Sequence, residues 1–180
     1  RIAAKYYVSG LKIDEAIERI KKDNLFQYPT ERQVSRLARA CYKRLDALGN
    51  EQLVHELASA PNEIAKQINL YAVMRYNRLV WEFMIQVIGE KYRNQDMNFS
   101  RKDMNAFFSR LQAQDDSVAA WSDATITKIK SVLVRMLIET GYLDGLKDTT
   151  LNPVFLCEEL ERGIEANNDY DALSAFNYFR

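Results

Sequence analysis

Residues that break helices are scarce in this sequence. Its 180 residues include only six glycines and three prolines. Such a composition favours long helices and leaves little material for the turns of a many-stranded sheet. Apolar residues make up 47% and charged residues 28% of the chain, which is ordinary for a globular protein with a buried core. The sequence therefore predicts an all-α, mainly helical protein.

A long uncharged apolar run is also missing. The most hydrophobic stretch, residues 70–88, is interrupted by Arg75, Arg78, Glu82 and Gln86. A membrane-spanning helix needs about 20 predominantly apolar residues, and no signal-peptide pattern is recognisable at the start of the chain. We therefore expect no membrane partner.

Residues that carry catalysis or bind metals are few. His55 is the single histidine, so neither a catalytic triad nor a zinc site with paired histidines can be assembled. Cys41 and Cys157 lie far apart among apolar residues, which predicts two buried thiols in a reducing cytoplasm rather than a disulfide. The scattered glycines form no phosphate-binding loop. We expect no enzyme, no cofactor, no metal and no small-molecule substrate.

Charge is balanced overall but unevenly distributed. Residues 1–48 contain 11 Lys or Arg and 6 Asp or Glu, residues 49–143 contain 11 of each, and residues 144–180 contain 3 and 8. A basic end indicates contact with an anionic partner. Because the net charge is zero, that contact requires the basic residues to be concentrated on one face.

Apolar periodicity and capping residues divide the chain into predicted helices and four parts. We expect helices at 1–9, from Ile13 onward, at 30–48, 50–60 and 61–91, from Ser100 onward, at 122–140, and at about 155–166 and 169–179. Asp144-Gly145 and Asn152-Pro153 predict a small β-hairpin within 142–155. The expected parts are a helix-turn-helix-like part (1–60), a long central helix and linker (61–98), a winged-helix-like part (99–155) and acidic C-terminal helices (156–180).

The predicted helix at 30–48 has one strongly basic face. At about 100° per residue, Arg32, Arg36, Arg39 and Lys43 fall within an arc of roughly 60°. The opposite side is apolar and carries Val34, Leu37, Cys41, Leu45 and Leu48. Solvated faces usually mix charges of both signs at i, i+4 spacing, whereas like charges at this spacing repel. The pattern favours phosphate contact over a merely solvated face.

The predicted helix at 122–140 carries a second candidate face. Its buried stripe is predicted to contain Ile126, Ile129, Leu133, Met136 and Leu137. The other side combines small, hydroxyl and basic residues, namely Ala124, Thr127, Lys128, Ser131 and Arg135, with Lys130 as a further candidate contact. Such a mixture suits a helix close to a nucleic-acid groove, although ordinary exposed faces share it.

Several stretches together resemble the BrxA family of bacteriophage-exclusion (BREX) defence systems. They are Asn24–Gln27 before the Arg-rich helix, Leu79–Phe83, Glu90–Tyr92, Trp121–Leu137 and Gly141–Gly145. The resemblance implies an all-helical protein with helix-turn-helix-like parts, comparable to the RNA-binding factor NusB. It also implies non-catalytic binding to duplex DNA beside other BREX components, which include a methyltransferase and a large ATPase.

The combined hypothesis is a non-enzymatic, duplex-DNA-binding BREX component that contacts mainly phosphates with low sequence specificity. The predicted DNA-binding residues are Arg32, Arg36, Arg39, Lys43, Thr127, Lys128, Lys130, Ser131 and Arg135. About six phosphate contacts would make affinity fall around a thousandfold between 50 and 200 mM salt. NusB-like RNA binding and a role as a protein-interaction adaptor within the defence complex remain as alternatives.

Overall fold

Eleven α-helices, a π-helical segment and a 3₁₀ helix make up most of residues 1–179, the part of the chain that the computed structural model describes. The α-helices are α1 (Ile2–Val8), α2 (Ile13–Lys22), α3 (Glu31–Leu48), α4 (Glu51–Ser59), α5 (Asn62–Tyr76), α6 (Arg78–Phe83), α7 (Glu90–Arg93), α8 (Arg101–Gln114), α9 (Asp116–Ala119), α10 (Asp123–Glu139) and α11 (Glu158–Ala166). The π-helical segment is Met84–Gly89 and the 3₁₀ helix is Tyr170–Phe176. The predicted all-α, mainly helical fold class is confirmed.

Four of these helices start with side-chain caps that the sequence predicts. Thr30, Asn50 and Ser122 each accept a hydrogen bond from a backbone N–H in the first turn of α3, α4 and α10. Ser100 and Asp103 form a reciprocal capping box at the start of α8. Because these caps satisfy backbone donors that have no partner inside the helix, they fix the helix starts at the positions that the sequence predicts.

The predicted continuous helix over 61–91 is wrong at one position. It is interrupted at Asn77, whose extended backbone (φ −129°, ψ 106°) separates α5 from α6. Asparagine favours such breaks because its side chain competes for backbone hydrogen bonds. Beyond it, α6, the π-helical segment and α7 follow one another without a gap from Arg78 to Arg93.

The predicted wing is also not formed, since residues 142–155 contain no β-hairpin. Thr150 instead makes a single antiparallel bridge to Asn98, outside the segment. Asn152 closes the segment by donating through its side-chain amide to Gly141 O (3.1 Å) and Asp144 Oδ1 (2.8 Å). These side-chain bonds hold an irregular loop where alternating strands were expected.

The described helices form two compact units. The first contains Arg1–Arg78 and Cys157–Tyr170, and the second contains Leu79–Leu156 and Asp171–Arg180. Neither unit is continuous in sequence, because one long stretch and one short, distant stretch form each of them.

In the first unit, α1 to α5 pack together and α11 closes the core. The helix pairs α2–α3, α3–α5, α1–α4 and α4–α5 pack against each other most extensively. Gly163 of α11 lies directly against Leu53 of α4, and both residues are buried. This packing holds α3 between α2 and α5, with one side left for solvent.

In the second unit, aromatic rings form much of the core. Phe83 packs edge-on against Phe99 and Phe107, with ring centroids 6.4 and 5.4 Å apart. Phe107 in turn meets Phe108 at 5.5 Å. These contacts attach α8 to the helical run that begins with α6.

None of the helices within residues 1–179 combines the length and apolar content required to span a bilayer. The same residues contain no group of three or more His, Cys, Asp or Glu side chains positioned to hold a metal ion. Cys41 and Cys157 are free thiols, but they are half-buried rather than fully buried as predicted. Burial is the main cause that raises the pKa of the Cys157 thiol, so the thiolate form is disfavoured there.

Candidate nucleic-acid interface

The α3 helix packs against α1, α2, α4 and α5 and leaves one face exposed to solvent. Thr30 caps its start, and Gly49 ends it in a left-handed conformation (φ 61°) that glycine adopts without steric cost. Its fully buried residues are Val34, Ala38, Tyr42, Leu45 and Leu48. Leu37 and Cys41, predicted to face the core, are half-buried, so the buried stripe is rotated slightly from the predicted one.

A polar network fixes the C-terminal end of α3. Arg75 donates through Nε to Ala47 O (2.6 Å), and Asn167 donates through Nδ2 to Leu48 O (2.8 Å). Asp169 anchors the Arg75 guanidinium through NH1 at 2.6 Å. These bonds satisfy carbonyls that the helix itself leaves without partners. The exposed face of α3 is thus carried on a helix that is fixed at both ends.

Three of the four predicted basic residues on α3 are exposed and unpaired. Arg32, Arg36 and Lys43 are all exposed, and they form no ion pair with any residue in 1–179. They occupy one side of the helix at spacings of four and seven residues. Like charges repel at such spacing unless an anion lies between them, so the face is well suited to an anionic ligand.

Arg39 differs from its neighbours on this face. Its NH2 group lies 2.9 Å from Asp14 Oδ1 on α2. The sequence could not show this pairing, because Asp14 and Arg39 are 25 residues apart. Arg39 is therefore on the predicted face but is already bound to a carboxylate.

The α10 helix presents the second predicted face. Ser122 caps it through Thr125 N (3.2 Å), and Ile126, Leu133 and Leu137 are its buried residues. Ala124, Thr127, Lys128, Ser131 and Arg135 are all exposed, as predicted. Ile129 and Met136, predicted to be buried, are half-buried.

The side chains on this face differ in what they can still bind. Ser131 Oγ already donates to Thr127 O at 2.9 Å. Lys128 and Arg135 are exposed and form no ion pair within residues 1–179. Val132, which sequence reasoning missed, is 58% exposed between them. Two free cations flanking an apolar side chain therefore remain available to a ligand.

Lys130 does not share the exposed face of α10. It is half-buried, and its Nζ lies 2.7 Å from Asn105 Oδ1 and 5.3 Å from the centre of the Phe108 ring. Both partners belong to α8. The side chain therefore links α10 to α8, an arrangement in which the ring face stabilises the ammonium group.

One cavity in the second unit is polar and contains ion pairs of its own lining. It has a volume of about 230 Å³ in the second unit and is lined in part by Lys91, Asp96 and Asp103. Lys91 Nζ lies 3.0 Å from Asp96 and 2.9 Å from Asp103. Hydrogen bonding to Lys91 lowers the pKa of Asp96. Lys91, Asp96 and Asp103 are therefore paired with one another in this cavity.

Comparison with known proteins places this architecture in a family. Residues 1–168 match a family model described as BrxA. The chain belongs to the BrxA family. The resemblance noted in the sequence is thereby confirmed.

Individual BrxA relatives cover most of the chain. The protein from Bacillus cereus named BREX protein BrxA is 36% identical over 138 residues, which are 77% of this chain and 68% of the relative. The BREX protein BrxA of Paramagnetospirillum magneticum is 23% identical and covers 94% of this chain and 84% of the relative. A crystal structure of an uncharacterized protein from Magnetospirillum magneticum superimposes with a TM-score of 0.81 at 22% identity. It covers 97% of this chain and 89% of that one, which shows a shared fold.

Proposed function

We propose that this BrxA-family protein is a non-enzymatic component of a BREX defence system that binds duplex DNA through phosphate contacts. The observation that carries the proposal is the row of exposed, unpaired cations on α3, namely Arg32, Arg36 and Lys43. Lys128 and Arg135 on α10 are the corresponding groups of the second unit.

The expected binding mode follows from the chemistry of these side chains. Long, flexible cations neutralise phosphates and release condensed counterions, whereas sequence readout needs side chains fixed against base edges. The free groups on α3 are all of the first kind. We therefore expect weak sequence specificity and strong salt dependence.

The three exposed cations of α3 and the two of α10 determine how strongly DNA binding should depend on salt. If each cation neutralises one phosphate, a plot of log affinity against log salt concentration has a slope of about −4.5. Between 50 and 200 mM salt this corresponds to a loss of about 500-fold. Fluorescence anisotropy with a labelled duplex of mixed sequence measures this slope directly.

A triple variant tests the contribution of α3. Changing Arg32, Arg36 and Lys43 to Gln should weaken binding at 50 mM salt and make the slope shallower by about 2.7. The matched control changes three basic residues on other helices of the same unit, namely Lys5, Lys66 and Arg162. It removes the same charge and should change the slope much less.

The outcomes separate this proposal from its alternatives. Wild-type binding without salt dependence, or an equal loss in both triple variants, would contradict it. Preference for duplex RNA of equal charge over duplex DNA would favour a NusB-like role. Failure to bind either nucleic acid, combined with salt-resistant binding to another BREX component, would favour an adaptor.

A further inference from the structure

The packing of α2 on α3 brings an acidic side chain to the basic face. Ile17 and Ile20 of α2 form one buried cluster with Val34 and Ala38 of α3. Asp14, in the first turn of α2, is carried by this packing to Arg39. The position of the carboxylate is therefore set by the core and not by a flexible loop.

The Asp14–Arg39 pair lies in solvent at 2.9 Å, with the two side chains 78% and 54% exposed. Arg39 is three residues after Arg36 and four before Lys43, so the pair is on the same side of α3 as the free cations. Exposed pairs of this kind are weak and exchange readily. A phosphate approaching the face can therefore compete with Asp14 for Arg39.

Two other acidic side chains of α2 and α3 do not pair with the arginines of the basic face. Glu18 and Glu31 lie 2.9 and 4.0 Å from Lys21 Nζ. Each is thus beside a lysine of α2 and forms no ion pair with the arginines of the α3 face among the described residues. Asp14 is the carboxylate that holds one of the predicted DNA-binding cations.

We propose that Asp14 is a built-in competitor of DNA, which occupies Arg39 in the free protein and limits the affinity of the α3 face. This inference rests on the proposed function. A phosphate can contact Arg39 only by replacing the carboxylate, so Asp14 removes this contact from much of the bound population, and Asp14 stays near the negatively charged backbone in either case. Both effects reduce affinity without altering the three free cations.

The direct test is Asp14→Asn in the salt series described above. Freeing Arg39 adds about one phosphate contact, so the slope should become steeper by about 0.9. The additional loss of affinity between 50 and 200 mM salt is then ~3.5-fold. At the low end of the series, the variant should bind about threefold or more tightly than the wild type.

A second variant establishes that Asp14 acts through Arg39. In an Arg39→Gln background, Asp14→Asn should have less than half of its effect, because the competition no longer exists. An undiminished effect in that background would overturn the proposal, since Asp14 would then act only by general repulsion.

The matched control is Glu63→Gln, which breaks the Glu63–Lys66 pair (3.0 Å) on α5 and causes the same change in charge. It should leave affinity and slope unchanged, and an equal gain in affinity would overturn the proposal.

Circular dichroism confirms that each variant is folded. A flat wild-type salt series overturns the proposed function itself. If wild-type binding depends on salt as expected but the Asp14→Asn variant has the same affinity and slope, only the competition by Asp14 is overturned.

Discussion

At the scale of single residues, the close approach of α11 to α4 leaves no room for a side chain at position 163. A Cβ atom added to Gly163 would lie 2.6 Å from Leu53 Cγ, closer than atoms in a packed core can remain. Leu53 is itself buried and has little room to move. Glycine is therefore required by packing rather than by backbone conformation.

Gly163→Ala should accordingly destabilise the protein by about 1–3 kcal/mol, although the higher helix propensity of alanine offsets part of this loss. Urea denaturation followed by circular dichroism measures the change. Gly145→Ala is the control, because its added Cβ would meet only Asp148 Oδ2 at an ordinary 3.7 Å. A Gly163→Ala variant as stable as the wild type would contradict this account of the packing.

At the scale of helices, local chemistry in the sequence predicts where several elements begin. Thr30, Asn50, Ser100 and Ser122 act through backbone groups within three residues, so their capping role is visible in the sequence alone. The break at Asn77 was not visible in the same way. Its surroundings are apolar on most sides, and that periodicity continues across it.

The candidate faces show the same division between local and distant effects. Helical spacing predicts that Arg32, Arg36, Lys128 and Arg135 are exposed, and they are. The engagement of Arg39 with Asp14 and of Lys130 with α8 depends on which helices become neighbours. Those contacts are tertiary, and no pattern within a single helix encodes them.

The ion pairs at the junction of α7 and α8 lead to a prediction about stability in acid. Lys91 of α7 bonds Asp103 in the capping box of α8 and Asp96 in the linker. Burial by itself would raise the pKa of Asp103, but hydrogen bonds from Lys91 and Ser100 outweigh it and the pKa is lowered. A carboxylate with a lowered folded-state pKa stabilises the protein above about pH 4 and loses that contribution as the pH falls.

Lys91→Met should therefore lower the stability at pH 7 and make it less sensitive to acid between about pH 4 and 2. Urea denaturation at a series of pH values measures both effects. Lys102→Met is the control, since Lys102 is exposed and forms no ion pair within residues 1–179. An unchanged acid sensitivity in Lys91→Met would show that the lowered pKa values have another origin.

At the scale of the whole molecule, tyrosines with raised pKa values occur in both units. Burial, followed by a hydrogen bond with Asp169, raises the pKa of Tyr71 to about 12. A hydrogen bond with Asp46 is the main cause that raises the pKa of Tyr7 to about 12. In the second unit, burial raises the pKa values of Tyr92 and Tyr142.

Such groups stabilise the fold below the unfolded-state pKa of about 10, and their contribution is lost as the pH rises through the folded-state values. Tyr71, Tyr92 and Tyr142 should each lower the stability by up to about 1.4 kcal/mol per pH unit above 10, and the more exposed Tyr7 by less. Absorbance at 295 nm should show fewer than all ten tyrosines ionising near pH 10 in the folded protein. Ionisation of all ten in one step while the protein stays folded would contradict the prediction.

The division into two discontinuous units also has a consequence for synthesis on the ribosome. When Arg78 has emerged, the first unit still lacks α11, which is the helix that brings Gly163 to Leu53. The whole of Leu79–Leu156 must be translated before that helix appears, an interval of roughly 4–16 s at about 5–20 residues per second. Throughout it, the apolar surface of α4 and α5 that α11 covers is exposed on the nascent chain. The first unit can therefore complete its core only after nearly the whole chain has been synthesised.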